Sequence, residues 1–148
     1  MKKIFITIFL LLLILSSTYA QNQNVYIIPI KGTIELGLAS FVERSIKEHL
    51  NAKAFIFEID TFGGRVDAAI KIRDTILATP TLTIAFIKDR AWSAGALIAL
   101  ACEKIIISPS GSIGAAEPRP ADEKTISALK AEFESTAKKR GRNPKIAA

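Results

Sequence analysis

Four short apolar runs, rich in isoleucine and phenylalanine, constrain the fold of this 148-residue chain more than any other feature. They cover residues 25–30, 54–59, 82–87 and 104–108. Strands of parallel sheets, which are buried on both faces, have this nearly continuous apolar character. Between the runs, apolar residues recur with the period of a helix over residues 38–50 and 66–77, and residues 94–101 form a third helical segment. This alternation predicts an α/β domain of βα units on a parallel sheet.

The first twenty residues have the pattern of a secretory signal peptide. A basic start precedes an apolar stretch from Ile4 to Leu15, and Thr18 and Ala20 occupy the −3 and −1 positions of a cleavage site. The apolar core is short for a membrane span, and an uncleaved anchor is the alternative. The sequence therefore predicts a signal peptide over residues 1–20 and an exported domain over residues 21–148.

Charge and cysteine content narrow the class of protein further. The formal net charge is +6, and residues 124–148 carry seven basic and two acidic side chains without interleaved aromatic residues. This distribution favours a solvated helix face over a nucleic-acid interface, so no nucleic-acid partner is expected. Cys102 is the only cysteine and can form no internal disulfide. Because it follows an apolar helix, we expect it to be buried and unreactive.

Two predicted strands end in residues that suit acyl chemistry. In parallel sheets, ligand sites gather at the carboxyl ends of the strands. Gly63-Gly64 follows the second strand directly before a helix, and Ser93 follows the third strand directly before the helix that begins at Ala94. Helix N-termini present unpaired N–H groups to negative charge. One N–H group near Gly64 and one at Ala94 therefore predict an oxyanion hole beside Ser93.

Each of these features also has a purely structural interpretation. A glycine pair at a strand–helix junction often serves only the turn, and a serine before a helix often serves as its N-cap. Their occurrence on neighbouring strands favours acyl chemistry, with Ser93 as the nucleophile.

A nucleophilic serine requires a base, and the residues alone leave its identity open. The only histidine, His49, lies near the end of the first helix within a surface-like Lys-Glu-His sequence, which disfavours a catalytic role. A lysine can act as the base when burial lowers its pKa and frees the amine lone pair. Serine–lysine pairs are a known variant of the catalytic triad. Composition does not select among the lysines.

The glycine pair, the serine segment and a downstream Ser-Ile-Gly-Ala sequence together resemble the serine-protease domain of the NfeD family. The similar segments are EIDTFGGRVDAAIKIRDTI, DRAWSAGALIALACEKIIISPSGSIGAAEPRP and PADEKTISALKAEFESTAKKRGRNPKIAA. With VYIIPIKGTIELGLASFVERSIKE, the resemblance covers residues 24–148. Family members are membrane-bound proteases related to Clp protease and signal peptide peptidase A. The resemblance therefore implies a Clp protease/crotonase-like fold.

The resemblance also implies a role for individual residues. The nucleophile of the family, the serine of its Ser-Ala-Gly sequence, corresponds to Ser93. The base, a lysine upstream of the helix that leads to Gly-Arg-Asn, corresponds to Lys124. The glycine turn supplies one oxyanion donor, from Gly63 or Gly64, and Ala94 supplies the other. No metal or cofactor is implied.

Three residues near the implied site have interpretations of their own. Phe62 stands where the turn of the family usually has proline, which predicts a less rigid segment. Trp92 stands where a smaller residue is common, and it either walls the substrate groove or packs against the core. Crotonase-type enzymes pair a similar oxyanion hole with a glutamate, and Glu117 is the candidate for that role. Coenzyme A, their acyl carrier, is not expected outside the cytoplasm.

The last 25 residues predict a domain that is incomplete at its C-terminus. Residues 124–139 have a helical pattern with one apolar face, and Gly141 stops it. Asn143-Pro144 then has the sequence of a new helix start, four residues before the end. We therefore expect a truncated domain, which in family members continues into a membrane region.

Taken together, the sequence predicts an exported serine endopeptidase with a Ser93–Lys124 dyad. The resemblance implies hydrophobic segments of membrane-associated proteins as substrates, stomatin-like proteins as partners, a homodimer, and a periplasmic or other extracytoplasmic location at the membrane. One alternative is an inactive fragment or scaffold that binds stomatin-like proteins without cutting them. The other is a crotonase-type acyl-transfer enzyme.

Overall fold

Strands and helices alternate along residues 24–119 and 121–147, which are the residues that the computed structural model describes. The strands are β1 (Val25–Ile34), β2 (Ala54–Gly64), β3 (Leu82–Trp92), β4 (Lys104–Ile107) and β5 (Ser112–Gly114). The helices are α1 (Leu36–Glu48), α2 (Val66–Ala78), α3 (Ala94–Ala101), α4 (Glu123–Lys139) and α5 (Pro144–Ala147). The signal peptide predicted for residues 1–20 lies outside the described residues.

A single parallel sheet contains the strands in the order β1-β2-β3-β4. Strand β4 pairs with the middle of β3, and β5 pairs with the last residues of β3 on the same side. The register of the sheet places Ile28 beside Phe57 and Phe57 beside Ala85. Consecutive neighbours joined by right-handed crossovers carry their connecting helices on the same face of the sheet. The carboxyl ends of β2 and β3 therefore meet at one edge, where α2 and α3 begin. The predicted α/β class with a parallel sheet is confirmed.

The two faces of the sheet differ in burial. Ile30, Phe57, Ile59 and Ile87 point toward the helices and are fully buried. On the other face, Ile27 is 65% exposed, although it belongs to one of the apolar runs. The apolar runs suggest strands buried on both faces, but the helices cover one face more completely than the other.

The strands extend further than the sequence predicts. β2 continues through Thr61, Phe62 and the glycine pair, and β3 continues to Trp92, so the segments expected to be loops are strand ends. Gly63 and Gly64 pair with Thr33 and Ile34 of β1. Gly63 does so with φ 109°, a conformation that glycine adopts readily and other residues rarely do. The sequence does not predict the short strand β5, since three residues carry too little periodicity.

Two arginines that follow α4 attach it to the end of α3. Arg140 donates from Nε to the carbonyl of Ala101 at 2.6 Å. Arg142 donates to the carbonyls of Leu100 and Cys102, both at 2.9 Å. The last carbonyls of a helix have no intrahelical partner, and these guanidinium groups satisfy them.

The remaining C-terminal features agree in part with the expectations. On α4, Phe133 is buried, whereas Ile126 is 42% exposed. Asn143 accepts the N–H of Lys145 at 3.0 Å, as expected of the N-cap of α5.

Cys102 is fully buried, and burial raises the pKa of its thiol to about 12. Within the described part of the chain, the helices lack the length and apolar character needed to cross a membrane.

Candidate active site

Ser93 occupies a strained turn between β3 and α3. Its backbone has φ 52° and ψ −116°, a region that non-glycine residues rarely adopt. Its N–H donates to the carbonyl of Gly114 at 2.7 Å, and its carbonyl accepts the N–H of Ala96 at 2.9 Å. The Ser93 side chain makes no capping hydrogen bond to α3. The interpretation of Ser93 as an ordinary helix cap is therefore wrong, because its hydroxyl does not serve the helix.

The glycine pair brings β2 close to this serine. A Cβ atom added to Gly63 would lie 2.8 Å from Cβ and 3.2 Å from Oγ of Ser93. A Cβ atom added to Gly64 would lie 2.3 Å from the carbonyl oxygen of Ile34. Both approaches are too short for a side chain, so glycine is required at both positions for steric reasons.

The hydroxyl of Thr61 fixes the backbone of this strand end. Thr61 is buried, and its Oγ1 donates to the carbonyl of Gly32 and accepts the N–H of Gly63 at 3.0 Å. The N–H of Arg65 donates to the carbonyl of Ile34 at 2.8 Å. The N–H groups at 63 and 65 thus have partners within the domain.

A cavity of about 470 Å³ opens beside Ser93. Gly64 and Ala94 line it next to the serine, and Leu129 and Phe133 of α4 line it from another side. The other lining residues are Phe62, Arg65, Val66, Ala69, Leu97, Ala115, Glu117, Pro118 and Arg119. The cavity combines an apolar wall with charged groups, as peptide and small-molecule sites commonly do.

Ala115, Glu117, Pro118 and Arg119 form one side of this cavity, and of these the sequence indicates only Glu117, as the glutamate of the crotonase-type alternative. Gly114 accepts the N–H of Ser93, and Ala115 has φ 53°. Glu117, Pro118 and Arg119 all line the cavity. The Ser-Ile-Gly-Ala sequence contributes to the family resemblance, but neither spacing nor residue type connects it with Ser93.

Lys124 is not among the residues that line the cavity. It occupies the first turn of α4, and its side chain is exposed. Asp122 caps this turn by accepting the N–H of Thr125 at 3.0 Å. The hydrogen bonds from Thr125 lower the pKa of the Asp122 carboxyl. The fold therefore assembles Ser93, the glycine pair and Ala94, but it does not place Lys124 among them.

His49 is half-buried at the opposite end of the sheet. Its Nδ1 atom lies 2.8 Å from the carbonyl oxygen of Ser45. Its ring packs on Tyr26, with ring centroids 3.9 Å apart. Tyr26 belongs to the first residues of β1, whereas Ser93 follows the last residue of β3. Since the strands are parallel, these two positions lie at different edges of the sheet.

The two departures from the family pattern contact each other. The rings of Phe62 and Trp92 meet edge to face, with centroids 5.4 Å apart. Trp92 donates from Nε1 to Oγ of Ser112 at 2.8 Å. Phe62 lines the cavity. Trp92 does not line the cavity but packs against the Phe62 ring.

Comparison with known proteins identifies the family of this chain. The family model described as the NfeD1b N-terminal domain matches residues 24–148.

The chain belongs to the NfeD1b family.

Two curated NfeD relatives have longer chains. The membrane protein NfeD1b of Bacillus subtilis (strain 168) is 41% identical over an alignment of 135 residues, and the match covers 86% of this chain and 31% of the relative. The membrane-bound protease PH1510 of Pyrococcus horikoshii is 36% identical over 123 residues, 80% of this chain and 28% of the relative. The chain thus spans about a third of the length of these relatives, whose names support membrane association.

Solved structures show the same fold. A serine-to-alanine mutant of the 1510-N membrane-bound stomatin-specific protease superposes with a TM-score of 0.79 at 34% identity, over 84% of this chain and 68% of that one. A lysine-to-alanine mutant of 1510-N in complex with a substrate peptide has a TM-score of 0.77 at 34% identity, over 86% and 65% of the two chains. ClpP1 from Listeria monocytogenes, at 20% identity, has a TM-score of 0.62 over 82% and 75%. The NfeD domain therefore has a Clp protease-like fold, and the solved relatives at 34% identity are named as proteases.

Proposed function

We propose that this NfeD domain is a serine endopeptidase in which Ser93 is the nucleophile and Lys124 is the general base. The main support is the strained turn that presents the Ser93 hydroxyl to a cavity at the N-terminus of α3. A sharp strand-to-helix turn is also how other hydrolases expose a nucleophilic serine. The similarity to a solved protease domain supports the same reaction class.

The proposed chemistry follows the serine–lysine variant of acyl transfer. The Oγ atom of Ser93 attacks the peptide carbonyl while Lys124 accepts its proton. The resulting oxyanion is stabilised by backbone N–H groups, and Lys124 returns the proton to the leaving amine. Water then hydrolyses the acyl-serine, with the same lysine as base.

For the oxyanion hole we propose the N–H groups of Gly64 and Ala94. The N–H of Gly63, the other candidate, already donates to Thr61. Successive N–H groups of a strand point to opposite sides. The N–H group of Arg65 points to β1, where it donates to Ile34. The N–H group of the preceding residue, Gly64, is therefore directed toward β3. The N–H of Ala94, at the first position of α3, has no acceptor within the helix. These features support a pair of donors beside Ser93.

Engagement of Lys124 requires a movement of the first turn of α4. Lys124 precedes Leu129, which lines the cavity, by five residues, or about 7.5 Å along the helix axis. We propose that peptide binding draws this turn toward Ser93. The solved complex of a lysine-to-alanine mutant of the 1510-N protease with a substrate peptide supports a lysine in this role.

For the whole protein, we propose an exported, membrane-associated peptidase that acts as a homodimer on hydrophobic segments of membrane-associated proteins, with stomatin-like proteins as partners. The specificity of the 1510-N relative for a stomatin homologue supports this substrate class. Glu117 lines the cavity and keeps a crotonase-type acyl-transfer reaction as a second candidate. A scaffold that binds stomatin-like proteins without cutting them is the non-enzymatic candidate.

Peptide cleavage by matched variants tests the proposal. Ser93→Ala should abolish cleavage of apolar peptides, because the reacting oxygen is lost, while its melting temperature stays close to that of the parent. Ser110→Ala, at an exposed serine that does not line the cavity, is the control and should retain full activity. Equal activity of Ser93→Ala and the parent in a mass-spectrometric cleavage assay would refute the assignment of the nucleophile.

The base is tested in the same assay. Lys124→Ala should lower the rate by about 10²-fold or more, because the proposed proton acceptor is lost. His49→Ala should change the rate little. An inactive His49→Ala together with an active Lys124→Ala would contradict the serine–lysine dyad.

A further inference from the structure

Phe62 combines a large apolar ring with high exposure on the wall of the cavity. The residue is 68% exposed, although both of its neighbours, Thr61 and Gly63, are buried. The Thr61 hydroxyl binds the backbone of Gly63 on one side and Gly32 on the other. The backbone that carries the ring is therefore fixed by its own strand, and the exposure of the ring is not a consequence of a loose loop.

Two further contacts hold the ring itself. The guanidinium carbon of Arg90 lies 4.7 Å from the centroid of the Phe62 ring, over one of its faces. Trp92 meets the ring at an interplanar angle of 83°, and Trp92 is in turn held by its hydrogen bond to Ser112. A ring ordered in this way loses little conformational freedom when a ligand packs on it.

The position of Phe62 relates it to the scissile bond. Gly63, the next residue, makes the close approach to Ser93 described above, with 3.2 Å between an added Cβ and Oγ. Phe62 and Ser93 line the same cavity, so a peptide bound at Ser93 can reach the Phe62 ring.

From this placement we propose that Phe62 is a specificity-determining residue that selects an aromatic side chain next to the scissile bond of the peptide. The inference rests on the proposed peptidase function and adds a preference to it. Aromatic pairs gain free energy beyond the burial of their area, which an aliphatic side chain of similar size does not. With Arg90 over one face, a substrate ring on the open part of Phe62 extends the same stack.

Binding to an inactive variant measures this preference without turnover. In a Ser93→Ala background of the full chain, two peptides that differ only in phenylalanine or leucine at the central position are titrated by calorimetry. We expect the phenylalanine peptide to bind about three- to tenfold more tightly. Adding Phe62→Leu should remove the preference, and Phe62→Tyr should keep it. Leu50→Ala is the control, since Leu50 is 65% exposed but lies between α1 and β2, away from the cavity.

Two outcomes would overturn the inference. One is a preference that survives in Phe62→Leu, and the other is equal binding of the two peptides to the Ser93→Ala parent. Phe62→Tyr keeps the test decisive should Phe62→Leu fail to fold, because loss of the preference in that variant also counts against stacking. Cleavage of the same peptides by the unmutated chain is measured separately. Binding that depends on Phe62 without any cleavage would refute the peptidase activity while supporting the aromatic preference.

Discussion

Among single residues, Ser93 combines backbone strain with the proposed role of nucleophile. Its positive φ is imposed by the tight junction of β3 with α3 and by the hydrogen bond from its N–H to Gly114. Such conformations cost of order 1–3 kcal/mol in a non-glycine residue. The hydroxyl does not cap α3. Glycine would therefore serve the local structure at this position better than serine, because it adopts this conformation without strain.

Replacement by glycine and by alanine separates strain from chemistry at this position. Both variants should be inactive, because both lack the hydroxyl. Ser93→Gly should be more stable than Ser93→Ala by about 1 kcal/mol. Glycine relieves the backbone strain, and this gain exceeds the loss of stability that comes from the greater entropy of glycine in the unfolded chain. Denaturant unfolding at one pH measures the difference. Lower stability of the glycine variant would show that the turn is not strained.

At the scale of elements, the sequence predicts the order and type of most helices and strands, but not their junctions. The helix at residues 94–101 agrees residue for residue, because an unbroken apolar run begins and ends there. The ends of β2 and β3 read as loops in the sequence, because glycine and serine are also typical of turns. Their strand conformation depends on partners distant in sequence, such as Ile34 for Gly64.

The sequence likewise predicts part of the candidate site but not all of it. Ser93, Gly64 and Ala94 follow from the rule that parallel strands place their carboxyl ends together. The position of Glu117 and of the segment around it cannot be inferred, because residues 115–119 have no periodicity that fixes their place. Lys124 is indicated by family resemblance alone, and its exposed position on α4 shows why residue pattern does not select it.

The attachment of α4 to α3 predicts a specific sensitivity to mutation. Arg142→Ala should lower the free energy of unfolding by about 1–3 kcal/mol, because it leaves carbonyls at the end of α3 without donors. Arg142→Lys should recover only part of the loss, since an ammonium group lacks the planar fork of guanidinium. Urea unfolding monitored by circular dichroism measures both. Full stability of Arg142→Ala would show that the hydrogen bonds of Arg142 are not needed and that Arg140 and the apolar contacts of α4 hold it.

On the scale of the whole molecule, the Clp protease-like fold accounts for the assembly of the site. Sequential parallel strands bring two strand ends and two helix starts to one edge, so residues far apart in sequence, such as Gly63 and Ser93, come into contact. The same order of strands leaves His49 at the other edge. The order of the strands thus determines which reactive residues lie close to one another.

Global stability should depend on alkaline pH through Cys102. Burial raises the pKa of its thiol from 9.0 to about 12, so the folded state retains a proton that the unfolded state releases. The stabilisation is complete below pH 9 and is lost as the pH rises from 9 toward 12. The free energy of unfolding of the parent should therefore fall relative to that of Cys102→Ala by at most about 1.4 kcal/mol per pH unit. Parallel curves for the two proteins between pH 8 and 10.5 would contradict a buried thiol.

The central claim is that Ser93 is a nucleophile activated by Lys124, and covalent labelling tests it most directly. The intact chain is treated with a fluorophosphonate probe, and the modified residue is located by peptide mass spectrometry. The account predicts one probe per chain on Ser93, no labelling of Ser93→Ala, and labelling of Lys124→Ala slowed by about 10²-fold. Labelling of another residue, or equal labelling of the parent and Ser93→Ala, would contradict it.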